Sequence, residues 1–464
     1  MRYIFYDTET TGLNPAFDQI LQFAAIEADE DLNEVSSINI RCRILPYIVP
    51  SPKALLVTRV SPTTLVSSNH SYLEMIQQIR TWMGQRTPSM VIGHNSIEFD
   101  EPFLRQALYQ TLHPVYLTNT GGNSRGDTMR IAQAASIFAP SRINVPLSDK
   151  GKPTFRLGPL TRENAITFDE TDAHDALADV RATLELARML RRNTPEIWEQ
   201  MLVNSSKKGA TEFMKRTNYF CSAEFSYGNS SSHLVSAIAA NPQNDTQMAA
   251  FDMAYDPKAY FDASAEEILG LMKGPGRVIR VVAANKQPMV FDTSIGHAML
   301  DSASFAPDVL TQHVREIRGA SEFRQRVAEA LTRYYEPEEP SEYIEKRIYG
   351  GFPSRNDTQL MEQYHRTPLE AKLTICDQFE DSRFREFGLR LIYSDNPDNL
   401  SAAQRDELQL FFNNRMTTTE EVEWMTLPKA LTEVDKLKND SVDQALLLEI
   451  EHFLINMRKT ANAG

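Results

Sequence analysis

Over its first hundred residues the chain alternates short apolar runs with polar turns, then changes to a helical period. Tyr3-Ile4-Phe5-Tyr6 is a bulky, β-favouring run that predicts a buried strand. Ile20 to Glu27 and Ser37 to Leu45 predict two more strands with a polar turn between them. Tyr72, Leu73, Ile76, Ile79 and Trp82 recur at the spacing of an amphipathic helix. Met90-Val91-Ile92-Gly93 predicts a short buried strand that delivers His94-Asn95 to a loop and Asp100 to a helix start. Asp100 is placed to cap that helix, whose body runs through Phe103, Leu104 and Leu108. Asp127-Thr128 marks the N-terminus of another helix, and a last one runs from about Asp175 to Arg192. Arg191-Arg192-Asn193-Thr194-Pro195 closes this region with basic charge at a helix end and a proline just beyond.

From Tyr219 to Asp292 the pattern turns β-rich. Short strands are expected at Tyr219-Phe220-Cys221, Val235 to Ile238, Ala249 to Asp252, Val278 to Ala283 and Met289-Val290-Phe291, with an acidic helix at Ala265 to Met272. Thr311 to Tyr335 reads as one long amphipathic helix. Glu336-Pro337-Glu338-Glu339-Pro340 then breaks the chain with acidic charge and proline. Beyond it Thr367 to Glu386, Ser401 to Phe412 and Val442 to Lys459 are helical in period. Three domains follow, at 1–192, 195–336 and 343–464, in keeping with a length of 464 residues.

Composition adds limits. With 42% hydrophobic and 24% charged residues the chain is an ordinary globular protein. No uncharged apolar stretch is long enough to span a bilayer, and a strand that reaches Asp7 at once leaves no room for a signal peptide. Cys42, Cys221 and Cys376 lack metal-ligand spacing and read as buried thiols of a reducing, cytoplasmic compartment. A net charge of −14 counts mildly against a nucleic-acid partner, but counterion release needs local Lys and Arg rather than a basic whole.

The candidate chemistry is carried by acids. Strand side chains alternate, so Asp7 and Glu9 share one face at the end of the first strand. Two neighbouring carboxylates at a buried strand end repel unless a cation lies between them; the plainer alternative is an exposed strand end with two solvated acids. Hard oxygen donors without thiolates select Mg²⁺ or Mn²⁺ over zinc. Two such ions can activate a water and stabilise the leaving oxygen of a phosphodiester. His174, five residues before Asp179, has the reference pKa of a general base near neutrality, although a lone histidine also caps or packs.

The order Asp7-x-Glu9, Asp100, His174-x4-Asp179 resembles the His-containing branch of the DEDD exonuclease superfamily. Pro15-Ala16-Phe17-Asp18, Gln22 to Ile26, Asn123-Ser124-Arg125, Phe155-Arg156-Leu157 and His174 to Asp179 are similar to bacterial exonuclease I. The likeness is sparser in Asn285-Lys286-Gln287-Pro288 and Tyr349-Gly350-Gly351-Phe352. It implies an α/β ribonuclease-H-like exonuclease domain with a central mixed sheet. A small α+β domain containing a Src-homology-like β-barrel would follow as a groove wall, and then an all-helical C-terminal domain. It also implies an enzyme that degrades single-stranded DNA processively from the 3′ end to 5′-mononucleotides, in DNA repair and recombination. Two Mg²⁺ ions (or Mn²⁺) would sit on Asp7, Glu9 and Asp179 and on Asp7 and Asp100, with His174 as base on the loop before its helix.

Substrate contacts implied in the same way are Arg156, Arg105, Tyr116, Arg130 and Glu9. Guanidinium forks and a stacking ring suit a single strand, while surface charge and core packing are the plainer readings. Lys207, Lys208, Lys215, Arg216, Arg277, Arg280 and Lys286 form a candidate electropositive wall, or simply solvated charge. The resemblance brings one protein partner, the C-terminal tail of single-strand DNA-binding protein, although Ala139 stands where a basic residue is expected. A monomer is the default. The rival readings are a proofreading or RNA exonuclease of the same superfamily, and a non-catalytic single-strand-binding protein on a nuclease fold.

Overall fold

The computed structural model describes residues 1–166, 175–226, 228–274, 276–296, 306–335, 339–439 and 443–463. His174 lies outside the described residues, as do residues 336–338 of the acidic break. The first sheet contains β1 (Tyr3–Thr10), β2 (Ile20–Ala28), β3 (Glu34–Arg41), β4 (Met90–Gly93) and β5 (Ser124–Asp127), in the order β3-β2-β1-β4-β5. β1 runs antiparallel to β2 and parallel to β4, so the sheet is mixed, as expected. β3 ends at Arg41 rather than Leu45 because the chain leaves the sheet edge there. The Arg43 N–H bonds to the His70 carbonyl, and the Leu45 N–H to Gln19 Oε1. β5 was not foreseen, since Ser-Arg-Gly-Asp has no strand pattern of its own. It is a strand because it pairs in parallel with β4 along Met90 to Gly93.

The sheet is covered on both faces, and the period-two alternation of β1 decides which side chain goes where. Tyr3 and Phe5 join the core shared with the helix Ala176–Asn193 and the second domain, including Leu234, Phe251 and Phe291. Ile4 and Tyr6 join the opposite core, with the helices Tyr72–Gly84 and Asp100–Gln110 and with Phe384, Phe387 and Phe412 from the end of the chain.

The second domain carries an antiparallel sheet of β6 (Phe220–Ser226), β7 (Asn229–Ala240), β8 (Gln247–Asp252), β9 (Ile279–Ala283) and β10 (Met289–Phe291), in the order β10-β6-β7-β8-β9. Its described pairings do not join β9 to β10. The segment Asn285-Lys286-Gln287-Pro288 docks this sheet onto the first. The Asn285 carbonyl accepts from Arg125, and Gln287 Oε1 accepts the Asp127 N–H at 2.8 Å. The single helix expected from Thr311 to Tyr335 is two, Pro307–Gly319 and Ser321–Thr332, interrupted where Gly319 weakens the helix and Ala320 leaves helical geometry.

Among the described residues the last domain has helices and no strand. The helix expected over Thr367 to Glu386 is broken. Pro368 stops the helix Arg355–Arg366 from continuing, and Asp381 caps a new one, Ser382–Asp395. All three cysteines are buried free thiols. Among the described residues no helix is long and apolar enough to cross a membrane.

His113 from the first domain and His365 from the last stack with ring centroids 3.7 Å apart and planes 10° from parallel. His365 Nε2 donates to the Leu112 carbonyl at 2.9 Å. Burial holds the imidazole of His113 down to about 2 and that of His365 to about 4. Both are therefore neutral when folded, whereas the unfolded chain takes up protons below about pH 6.5. Their contribution to stability is complete above that pH and is lost as pH falls toward 4. The melting temperature is expected to drop between pH 7 and pH 5, and less so in His365→Gln, as thermal melts at both pH values will show.

Candidate active site

Three elements bring the acids together. β1 carries Asp7 and Glu9, opposite Ala24 and Gln22 of β2. The helix Ala176–Asn193 carries Asp179 in its first turn. That helix is fixed by its N-cap, Asp175. One Asp175 oxygen accepts the Leu177 N–H at 3.1 Å. The other accepts from Gln22 Nε2 at 3.0 Å and Arg41 Nη2 at 2.9 Å. The helix start is thus tied to β2 and β3, and one oxygen each of Asp7, Glu9 and Asp179 falls within 4.8 Å of the others.

Asp100 approaches from the opposite side of β1. It does not cap its helix as expected, because it is the first helical residue and its Oδ1 is engaged elsewhere. That oxygen accepts the Thr8 backbone N–H at 3.0 Å and the Thr8 hydroxyl at 2.6 Å. Asp100 stands outside the group of three but within its field. Burial, then Asp100, Glu9 and Asp179 in turn, push the Asp7 carboxyl well above the carboxylate range. Burial and the neighbouring Asp179 and Asp100 carry Glu9 up to about 9, with Arg41 pulling the other way. Burial raises Asp100 to about 7 against the hydrogen bonds from Thr8.

So many buried acids cannot all ionise near neutrality without a cation among them. The donor set is all oxygen and suits a hard divalent ion. Thr8, Gln22 and Arg41 hold the acids in place and were missed in the sequence. Their roles depend on tertiary contacts, and only the position of Thr8 between the two acids of Asp7-Thr8-Glu9 hints at one of them.

The expected substrate contacts are placed unevenly. Arg156 is exposed at the start of the helix Leu157–Glu163. The carbonyl just before it, that of Phe155, meets His94 Nε2 at 2.6 Å, and His94 Nδ1 meets the Thr128 hydroxyl at 3.0 Å. Burial keeps His94 neutral, so the ring links the start of one helix to the Arg156 segment. Arg105 pairs with Glu101 at 2.8 Å and lies 5.1 Å over the Tyr116 ring. Arg130 and Lys286 both pair with Glu98, at 2.8 and 3.2 Å.

The proposed basic wall is largely neutralised. Lys207 meets Asp245, Lys208 meets Glu212 and Arg277 meets Glu224. Arg280 is no surface cation at all. It is buried against Asp252 of β8 and His233 of β7, although its strand, β9, is at the edge of the second sheet. Lys215 and Arg216 are exposed at the end of their helix.

A cavity of about 680 Å³ opens beside Glu9. Its walls include Leu13, which is 82% exposed, and Phe99 from the first domain, and Trp424 and Lys429 from the last. Glu9 therefore lines a groove whose far wall belongs to the C-terminal domain.

Residues 4–187 match the family model described as an exonuclease (RNase_T), and residues 342–457 match that of the exonuclease I C-terminal domain. Exodeoxyribonuclease I of Haemophilus influenzae is 26% identical over 401 residues, spanning 83% of this chain and 84% of its own. That of Escherichia coli is 24% identical over 374 residues, spanning 77% and 78%. Among solved structures, exonuclease I from Methylocaldum szegediense superposes with a TM-score of 0.83 at 24% identity, over 99% of both chains. E. coli exonuclease I in complex with a dA16 oligonucleotide gives 0.84 at 21%, again over 99% of both. An SSB/exonuclease I complex gives 0.81 at 20%. With an exonuclease domain at its front, the exonuclease I C-terminal domain at its back and the same fold from end to end, the chain belongs to the bacterial exonuclease I family.

Proposed function

We propose that this protein is a divalent-metal-dependent exonuclease that removes 5′-mononucleotides from the 3′ end of single-stranded DNA. The observation that carries this reading is the convergence of Asp7, Glu9 and Asp179, with Asp100 beside them and Glu9 lining an open groove. The relatives and the oligonucleotide-bound neighbour support the choice of DNA and of a single strand.

Asp7, Glu9 and Asp179 would hold one cation and Asp7 with Asp100 a second, Mg²⁺ being the expected ion. When bound, the pair supplies Lewis acidity at the scissile phosphate and lowers the pKa of a water. His174, one residue before the Asp175 cap, accepts the proton of the attacking water. The oxygen left behind adds to the terminal phosphorus, and the bond to the 3′ oxygen of the preceding nucleotide breaks. Arg156 holds a backbone phosphate through its guanidinium fork. The groove wall contributed by Trp424 and Lys429 keeps the strand from leaving sideways, which favours many cuts per encounter.

The same reading places the enzyme in the cytoplasm, in DNA repair and recombination, as a monomer over three domains at 1–192, 195–336 and 343–464. It also includes capture of the acidic, apolar tail of single-strand DNA-binding protein. Ala139 lines a cavity of about 450 Å³ together with Arg142 and Arg192, two guanidiniums suited to a terminal carboxylate.

Equal lengths of 5′-labelled single-stranded DNA, duplex DNA and RNA, each with Mg²⁺, test the reading. A ladder shortening from the 3′ end of the single-stranded DNA alone is expected. Binding without any shortening would favour a scaffold on a nuclease fold, and preferred loss of RNA would favour an RNA exonuclease. His174→Ala is expected to slow turnover by about 10²–10⁴-fold, the range for loss of a general base. Divalent-ion affinity measured by calorimetry should be unchanged, which separates the base from the ligands.

A further inference from the structure

Two cations expected along the strand's path converge on one acid. Glu98 Oε1 accepts from Arg130 Nη2 at 2.8 Å, and Glu98 Oε2 accepts from Lys286 Nζ at 3.2 Å. Arg130 stands on the helix Thr128–Phe138 of the first domain, and Lys286 in the segment of the second domain that docks there through Gln287. Among the described residues neither cation pairs with any other acid. Partial burial works against the Glu98 charge, but Lys286 and Arg130 outweigh it and hold the carboxyl below its usual range. Glu98 is one residue from Phe99, which lines the groove beside Glu9, and two from Asp100. The turn that carries it is fixed from below. The Asn95 and Ile97 N–H groups donate to the two Asp127 oxygens at 2.9 and 3.2 Å, and the Glu98 N–H donates to the Asn95 carbonyl. The side chains of Glu98 and Lys286 are exposed, so they can part without opening a core.

A carboxylate shared by a guanidinium and an ammonium offers the same single charge and the same pair of acceptor oxygens as one phosphodiester group. The plainer reading of such a contact is a brace between domains. That brace is already supplied, since Asn285 and Gln287 join the second domain to Arg125 and to the Asp127 N–H. An exposed ion pair adds little to those hydrogen bonds. What it does change is the attraction for a polyanion. The chain carries a net charge of −14, so a strand depends on local cations, and Glu98 takes up two of them.

We propose that Glu98 is an internal stand-in for a backbone phosphate, which occupies Arg130 and Lys286 in the free protein and is displaced when the strand enters the groove. The proposal rests on the reading of the protein as a single-strand nuclease and adds to it a contact that works against binding. Entry of the strand exchanges one acceptor for another at the same two donors. The net grip is therefore weaker than the two cations alone would give. A loosened grip suits an enzyme whose substrate must shift by one nucleotide after each cut.

The test uses the full-length protein with EDTA, so that nothing is hydrolysed, and a labelled single-stranded oligonucleotide titrated at several salt concentrations. Glu98→Gln keeps an oxygen acceptor and loses the charge. It should bind the strand about three- to tenfold more tightly than wild type, the scale of one or two exposed ion pairs. Its log affinity should also fall more steeply with log salt, by about one in slope, because no displaced carboxylate takes a cation back. The paired change Arg130→Gln with Lys286→Gln should cost Glu98→Gln about three- to tenfold more affinity than it costs wild type, since only there are both cations free beforehand. Circular dichroism verifies that each variant is folded. Unchanged or weaker binding by Glu98→Gln overturns the proposal and leaves Glu98 a domain brace. Tighter binding with an equal cost of the paired change in both backgrounds also overturns it, and makes Glu98 a plain repelling charge. A wild type that binds no single strand removes the nuclease reading and the stand-in together.

Discussion

Asp7→Asn is expected to lower nuclease turnover by about 10³-fold or more while raising the melting temperature of the metal-free protein. Both effects have one cause. Asp7 is the residue on which the other three acids converge; it and Asp179 are half-buried, and Glu9 and Asp100 are buried. Replacing its charge removes a ligand and also removes repulsion that nothing but a cation relieves. Mg²⁺ should raise the melting temperature of the wild type, by about 2.7 kcal/mol of added stability at a hundredfold excess over its dissociation constant. Most of that gain should be absent in Asp7→Asn. The pH dependence has a definite sign. Glu9 and Asp100 are raised, to about 9 and about 7, so the folded chain binds more protons than the unfolded one between about pH 4 and those values. The metal-free cluster therefore loses stability as pH rises across that window, opposite in sense to the stacked histidines. Melts with EDTA and with Mg²⁺ at pH 6 and pH 8 read all of these effects. A variant that melts no higher than wild type in EDTA and still cuts DNA would falsify the cage.

Glu345→Ala is expected to cost about 3–5 kcal/mol of stability, the range for breaking a buried ion pair from one side. Glu345 Oε1 accepts from Arg390 Nη1 at 2.8 Å and from Arg415 Nη1 at 2.9 Å, and all three side chains are at most 6% exposed. Burial works against the Glu345 charge, but Arg415 and Arg390 outweigh it and hold its carboxyl below the usual range. Removing it leaves two guanidiniums buried, of which, among the described residues, only Arg390 retains an ion-paired acid, Glu386, at 3.0 Å. Arg415 keeps the rings of Phe17, Tyr47 and Trp424 around it, and rings alone do not neutralise a buried charge. Trp424 also lines the groove beside Glu9, so the loss should reach substrate binding as well as the melting temperature. Urea denaturation of the two proteins measures the difference directly.

The catalytic strand, the helix that brings Asp179 and the order of the acids were legible because each follows from local period and spacing. Asp7 and Glu9 share a face for the same reason that Tyr3 and Phe5 do, and a row of alternate residues is visible in any sequence. What could not be read was which partner each acid would take. Asp100 looked like a cap because a short acid at a helix start usually is one, yet Thr8, 92 residues earlier, holds its oxygen. Arg280 looked like a surface cation because its strand neighbours gave no sign of Asp252 opposite. The break at Gly319-Ala320 was hidden because apolar residues recur at helical spacing on both sides of it. Contacts between distant segments leave no trace in local composition, and the supporting residues of the site are of that kind.

β1 is made first and enclosed last. One of its faces shares a core with Phe251 and Phe291, and the other with Phe384 and Phe412, so each side is closed by chain that emerges from the ribosome much later. At roughly 5–20 residues per second, the newly made nuclease segment waits tens of seconds before the C-terminal helices arrive to seal it. During that interval its apolar sides are open to aggregation and to chaperones. The enzyme's first segment is thus a dependent half-product rather than a portable nuclease.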